Sequence, residues 1–443
     1  MLSPKRLFMR SRGATGAIGA QFAQALASLV LSIAAARSLG ATGLGIFGLL
    51  SGGITLTTAL STGLVGDSLT VLDRRAPRVR SGLQIVGLGV AALAGIASTI
   101  VCGITGLLPW KVAVAFGVAS AVFITEDYLR RLLMASLKFW SVLVVDLSAL
   151  AVTIIWLVSA EVVGSIDMMQ IVLSIVASQI IGFGVAVIML PSAERHLARF
   201  KRGEIGSVLR FGSWRSAQQG VRPAMLTLMR ILVVVAVGTI AYGKLEAARV
   251  YTAPTLLMVN GIGGFLFATY AAERHHGLGP LVRRADRGAI SMFVAVIFAG
   301  VVAAALLPYF GKIVSGGKFE IGALAVFGWV LYSATAAVLM PYGSLAAVSG
   351  MHVKVFNFRL LEAVVSLASV AVVLFVFKAS TSWTPFALAL GPMVLGLVIR
   401  QYVLMPAARK GLNPTTAVVD DLLPGPTAAP APNPGTTEVP STA

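Results

Sequence analysis

The sequence predicts an all-α, polytopic membrane protein with about 12 transmembrane helices in two six-helix lobes. Three observations predict this fold class. Hydrophobic residues make up 57% of the 443 residues and charged residues only 12%, about half the charged share of soluble domains, and the mean hydropathy is +0.89. The apolar residues fall in runs of about 20, the length that crosses a hydrocarbon core as a helix. Basic residues concentrate in alternate loops, the pattern of the positive-inside rule.

Six spans lie near 14–36, 44–66, 83–107, 112–129, 141–159 and 168–190, and six more near 211–238, 249–271, 288–308, 321–343, 360–378 and 384–404. This divides the chain into a cytoplasmic N-terminus (1–13), a first lobe (14–190), a cytoplasmic linker (191–210), a second lobe (211–405) and a tail (406–443). Lys5 to Arg12 followed by an apolar run ending at Ala36 imitates a cleavable signal peptide. That run is too long for a typical signal and the next span follows at once, so an uncleaved first helix is expected. Of the 35 Lys and Arg residues, 25 fall on one set of alternate loops and 7 on the other, which predicts cytoplasmic termini. Leu39-Gly40 with Gly43 and Gly45 is echoed by Val237-Gly238 with Gly243, the mark of a parallel repeat about the membrane normal. Beyond Asn413 the composition turns to Pro, Ala and Thr, which cannot bury a core and predicts a disordered tail.

Several function classes are disfavoured. A net charge of +18 in a soluble chain would suggest nucleic acid, but loop bias alone makes polytopic proteins basic, and no recognition motif accompanies the charge. One cysteine, Cys102, excludes an intramolecular disulfide and a cysteine-based metal site. His196, His275, His276 and His352 lie in or beside basic loops without a second pair at ligand spacing. No Ser/His/Asp arrangement, phosphate-binding loop or metal motif is present, so no enzyme and no cofactor is expected. A glycosyltransferase would need an acidic base on the outer side and a polysaccharide polymerase a large outer loop, and neither is found.

The candidate site begins with Arg215, Arg222 and Arg230 in the seventh span. At 100° per residue they fall at 0°, about −20° and about +60°, with Gln219 at about +40°, one stripe of a helix. A cation at a bilayer centre costs at least about 3 kcal/mol and faces a partner, a cavity or water, so this ladder suits an anionic substrate. Whether the helix starts at Phe211 or at Pro223 is left open; in the second case Arg215 and Arg222 sit at the interface. Gln21 and Gln24 share a face of the first span and either line the cavity or bond between helices. Arg37 either anchors to headgroups or guides an anion at the exit. Spacings of four pair Glu126 with Arg130 and Asp127 with Arg131, beside Asp146. This group is either an ion-paired corner or an inner gate. Asp146 and Glu362 are candidate proton or sodium sites.

On these residues the chain resembles polysaccharide flippases of the multidrug/oligosaccharidyl-lipid/polysaccharide exporter superfamily. The resemblance rests on Arg37-Ser-Leu-Gly40-Ala-Thr-Gly43-Leu-Gly45-Ile-Phe47, on Glu126-Asp127 with Arg130-Arg131 and Asp146, and on Gly238 to Gly243 leading into Ala247-Ala248-Arg249-Val250-Tyr251. It spans roughly 14–405. It implies alternating access between two lobes and transfer of a polyprenyl-pyrophosphate-linked glycan from the inner to the outer leaflet of the bacterial plasma membrane. Cationic residues in that family's cavity match the positions of Arg215, Arg222 and Arg230, so the pyrophosphate would sit on Arg222 and Arg230. The implied partners are membrane lipids and a polysaccharide polymerase or other glycan assembly proteins. Two alternatives stay open: an ion-coupled exporter of small amphiphiles that depends on a carboxylate such as Asp146, and a membrane scaffold acting through the tail.

Overall fold

The computed structural model describes residues 4–74, 76–195, 204–272, 277–349 and 351–409. Among them, ten helices are long and apolar enough to cross a membrane. Two of the ten are 55 and 52 residues long. At 1.5 Å per residue each would run about 80 Å, far beyond a hydrocarbon core of about 30 Å. Both are two helices joined at a glycine. Gly40 (φ 70°, ψ −163°) breaks Pro4–Ser61 into α1 (4–39) and α2 (41–61). Gly238 (φ 86°, ψ 170°) breaks Ile205–Ala272 into α7 (205–237) and α8 (239–272). An L side chain rarely adopts such a φ, so glycine is the residue that permits each reversal.

That the chain doubles back is visible in its neighbours. Gly16 on α1 packs against Phe139 and Trp140, and Gly66 beyond α2 packs against Arg131. Residues 16 and 66 therefore flank the same turn, and Gly40 lies at the opposite end. Between the hairpins run α3 (Pro77–Ile104), α4 (Trp110–Ala135), α5 (Phe139–Val163) and α6 (Met168–Met189). After the second come α9 (Leu278–Ser315), α10 (Ala323–Val348), α11 (His352–Ala371) and α12 (Thr384–Val398), the last continued through a π-helical turn to Arg409. Twelve crossings result, six per lobe. The end holding Gly40 and Gly238 is called the hairpin end and the other the basic end.

The two hairpins meet each other. A Cβ on Gly45 would stand 2.5 Å from the Thr239 carbonyl oxygen and 3.2 Å from the Gly243 nitrogen, and a Cβ on Gly243 would overlap the Ala41 carbonyl. Gly45 and Gly243 hold equivalent places after their turns, as do Ala41 and Thr239. The contact is thus nearly two-fold symmetric, as expected of a parallel repeat whose axis passes between α2 and α8. Around it a shared core of Leu44, Phe47, Tyr242, Leu245 and Trp329 seals the hairpin end. The Trp329 indole donates to the Leu245 carbonyl at 3.1 Å and the Lys318 ammonium to the Ser38 carbonyl at 2.7 Å.

Several sequence boundaries move. The first helix starts by Pro4 rather than near 14, α7 starts at Ile205 within the expected linker, and α8 follows Gly238 directly rather than starting near 249. Residues 406–409 are helical, not tail, and the expected disordered segment beyond them lies outside the described residues. The seventh helix is continuous through Pro223, which settles its start. Arg249 sits on α8 paired with Glu246.

A methyl group on Gly243 has no room while α2 and α8 touch. Gly243→Ala is expected to cost about 1–3 kcal/mol and to lower the melting temperature in detergent by several degrees. An unchanged melting temperature would show that the hairpins do not pack through these glycines.

Candidate functional site

Between the lobes lies a cavity of about 800 Å³, within the range that holds small-molecule ligands. Its walls come from α1, α2, α4, α5 and α6 on one side and from α7, α8, α10, α11 and α12 on the other. Ser28, Thr55 and Arg359 line it and are exposed, so it is open to solvent. Its deep end is reached at Arg230, below the sealed hairpins, and Thr62, Gln218 and Ser344 line it nearer the basic end.

One wall of the second lobe is cationic. Arg222 sits on α7 with its guanidinium carbon 5.8 Å from the Tyr332 ring centroid, within cation–π range. Its Nη2 is buried and has no hydrogen-bond partner. Arg359 and Glu362 stand one turn apart on α11 and also face the cavity. The charges acting on Glu362 are those of Arg222 and Arg359. No hydrogen bond or ion pair joins Glu362 to either arginine among the described residues. Two arginines thus share one carboxylate loosely, and this wall keeps a formal positive charge. Pro223 supplies no N–H to the Gln219 carbonyl, and both residues line the cavity.

The facing wall of the first lobe is acidic. Arg130 is bound by Asp146 in a fork of 2.9, 3.0 and 3.1 Å, with both side chains buried. Arg131 donates to Asp127 at 2.6 Å, while Arg130 lies 3.9 Å from the other Asp127 oxygen. The expected Glu126–Arg130 pair is not made, because Arg130 turns across to α5 and takes Asp146 instead. Glu126 is left 5% exposed on the cavity wall without a hydrogen bond or ion pair among the described residues. The Gln179 side-chain oxygen, also on this wall, is buried without a partner. Three carboxylates against two arginines leave a formal negative charge.

The remaining sequence candidates are dispersed. Arg215 is outside the cavity, paired with Asp67 at 2.8 Å and bonded to Gln218 at 2.8 Å. Gln219 and Gln24 line the cavity, but Gln21 is not among its lining residues. Arg37 lies near Gly316 at the hairpin end, away from the cavity. Arg230 is 6% exposed at the deep end and donates to the Gly48 carbonyl on α2 at 2.9 Å. The ladder of three is therefore two cavity cations, of which Arg230 is bonded across to α2, and one surface ion pair.

Sequence reasoning missed two features. One is Arg359, for which the one-turn spacing from Glu362 beside an apolar run was the available signal. Ser51, Thr55 and Thr58 on α2, with Thr62 at the start of the π-helical turn that follows, line the cavity as a stripe three to four residues apart. Each hydroxyl donates to its own helix at 2.7–3.0 Å, which leaves lone pairs facing the cavity.

No protein-family model matches the chain, and no curated protein matches it. Solved structures do match in fold. An inward-facing multidrug resistance MATE family transporter of the MOP superfamily superposes with a TM-score of 0.70 at 14% identity, over 87% of this chain and 96% of that one. An outward-facing transporter of the same description gives 0.61 at 13% identity, over 91% and 96%. A MOP superfamily transporter from Pyrococcus furiosus, described by the reversed polarity of its binding pocket, gives 0.60 at 13% identity, over 90% and 96%. The chain therefore has the two-lobed, twelve-helix fold of MATE transporters.

Removing Asp146 would strand Arg130 in an apolar interior. Asp146→Asn is expected to destabilise the protein by about 3–5 kcal/mol. Glu126→Gln, with no partner to lose, should leave the thermal midpoint close to wild type. Equal melting of all three proteins in detergent would refute the Arg130–Asp146 anchor.

Proposed function

We propose that this protein is a flippase that carries polyprenyl-pyrophosphate-linked oligosaccharide from the inner to the outer leaflet of the bacterial plasma membrane by alternating access. The observation that carries this reading is Arg222, a cavity cation with an unpartnered donor, beside Arg359 on the same wall. A guanidinium inside an apolar slab is costly unless an anion or water meets it, and two of them fit the charge and oxygen pattern of a pyrophosphate.

The rest of the cavity is consistent with this cargo. The hydroxyl stripe on α2, with Gln24, Gln218 and Gln219, offers acceptors and donors to sugar hydroxyls. At about 800 Å³ the cavity holds a headgroup, so the polyprenyl tail would remain in the bilayer through an opening between the lobes. With the basic end in the cytoplasm, the cavity faces the leaflet where the substrate is made, and the hairpin end is closed. The better superposition on the inward-facing neighbour supports that assignment. Rocking of the lobes would then deliver the headgroup outside, for use by a polysaccharide polymerase or another glycan assembly protein.

One observation favours a second reading, an ion-coupled exporter of small amphiphiles. Glu126 is a buried, unpartnered carboxylate on the cavity wall, the arrangement that binds a proton or a cation. In the flippase reading the same group couples transport to an ion.

The test is complementation of a deletion strain at matched membrane levels. Each charged hydrogen bond contributes about 1.5–3 kcal/mol, so Arg222→Gln with Arg359→Gln should weaken headgroup binding at least roughly tenfold. Lipid-linked oligosaccharide is expected to accumulate in the inner leaflet in the deletion and in the double variant. Normal outward delivery in the deletion, with no redundant carrier, would end the flippase reading. Full transport by the double variant together with loss in Glu126→Gln would favour the exporter.

A further inference from the structure

Arg230 is the one buried arginine on the cavity whose hydrogen bond crosses from one lobe to the other, among the described residues. It lies eight residues beyond Arg222 on α7, about 12 Å farther toward the hairpin end. Its Nη1 reaches over Gly52 to the Gly48 carbonyl of α2, and a Cβ at Gly52 would overlap that nitrogen. Thr227 adds a second bond from α7 to α2 at this depth, donating to the Gly52 carbonyl at 3.2 Å, while Ser216 donates to the Leu60 carbonyl at 2.6 Å nearer the basic end. Arg230 and Thr227 hold α2 against α7 between the cavity and the glycine contact of the hairpins.

The bond that holds Arg230 is weak for a buried cation. Its acceptor is a neutral carbonyl that also accepts from the Ser51 hydroxyl at 3.0 Å. Its Nε is buried with no partner. Glu246 is an anion that acts with it, but its two oxygens already accept from Arg249 at 2.6–2.9 Å and from the Tyr242 hydroxyl at 3.0 Å. Gly48 touches this group: a Cβ there would stand 2.7 Å from the Tyr242 hydroxyl and 3.0 Å from Glu246. A phosphate oxygen carries negative charge, so its bond to a guanidinium adds a Coulomb attraction that a neutral carbonyl lacks. An anion at the deep end of the cavity would therefore win Arg230 from Gly48.

We infer that Arg230 is a substrate-operated clasp: while it holds Gly48 the hairpin end stays shut, and an anionic headgroup that draws it into the cavity releases the hairpin-end half of α2 from α7 and opens that end. The inference rests on the anion-carrier reading of the cavity. It adds the source of the differential affinity that any ligand-driven transition requires. The closed state spends Arg230 on a carbonyl, and the open state spends it on the substrate. Arg230 thus meets the ligand only in the open state, while Arg222 and Arg359 hold the ligand at rest.

The experiment uses full-length protein in nanodiscs with spin labels at Glu161→Cys and Glu320→Cys, exposed positions at the hairpin ends of the two lobes, in a Cys102→Ser background. Inorganic pyrophosphate is the probe, with binding measured separately by calorimetry. In the unsubstituted background, pyrophosphate is expected to lengthen the label distance saturably. Arg230→Gln should show the long distance without ligand, still bind pyrophosphate, and no longer respond to it. Gly52→Ala displaces the guanidinium but keeps its charge, and should also show the long distance without ligand. A short ligand-free distance in both variants would overturn the clasp, as would a normal pyrophosphate response in Arg230→Gln. Loss of pyrophosphate binding in Arg230→Gln would make Arg230 a holding residue and overturn the division of roles. Failure of pyrophosphate to bind the unsubstituted protein would instead overturn the anion reading and the triggering step with it. The ligand-free distances would still decide whether the clasp exists.

Discussion

A charge inside an apolar slab must find a partner or water, and the arrangement of this protein follows from how each one does so. Desolvating an ion costs several kcal/mol, and a paired ion recovers that cost only in good geometry. Arg130 and Asp146 meet this condition in a buried fork, and Asp127 with Arg131 and Glu246 with Arg249 do so within single helices. The charges left without such an ion pair among the described residues, Arg222, Arg230, Arg359, Glu362 and Glu126, all lie on the cavity. The sorting is physical: an unpaired charge survives only where water or a ligand reaches it.

The same rule sets the polarity of the cavity. The α4–α6 wall carries one formal negative charge over, and the α7–α11 wall, with Arg222, Arg230 and Arg359 against Glu362, is net positive. A ligand bearing a phosphate group on one side and hydrogen-bond donors on the other would be oriented by that field before making any close contact. The π-helical turns at Thr62–Gly66 and Ile399–Leu404 border this space at its basic end, where an extra residue per turn re-aims side chains.

Backbone contact between the lobes depends on residues without side chains. Gly45 against Thr239, Gly243 against Ala41, Gly52 under Arg230 and Gly63 against Ser216 bring α2 close to α7 and α8 along its length. Such close packing needs small residues because lipid supplies no hydrophobic drive between helices. It also leaves few side chains to disentangle when the lobes separate, and Arg230 and Thr227 are the polar bonds that bridge the deep part of this seam.

Much was legible before folding. Hydropathy and length specified twelve crossings because a bilayer imposes both, and Gly40 and Gly238 announced two equivalent reversals because glycine alone tolerates their φ. The helical stripe placed Arg222 on an inward face, since periodicity survives any packing. What the stripe could not specify was the fate of each arginine on it, because a guanidinium reaches about as far as a neighbouring helix and its partner lies far away in the chain. Arg215 met Asp67, Arg230 met Gly48, and Arg130 left Glu126 for Asp146, each choice made between helices that sequence spacing does not relate. The recruitment of Arg359 and of the hydroxyl stripe on α2 to the same cavity belongs to the tertiary structure for the same reason. Local period and composition determine what a helix is, and only the packing of helices determines which of its polar groups remain unsatisfied and therefore available to a ligand.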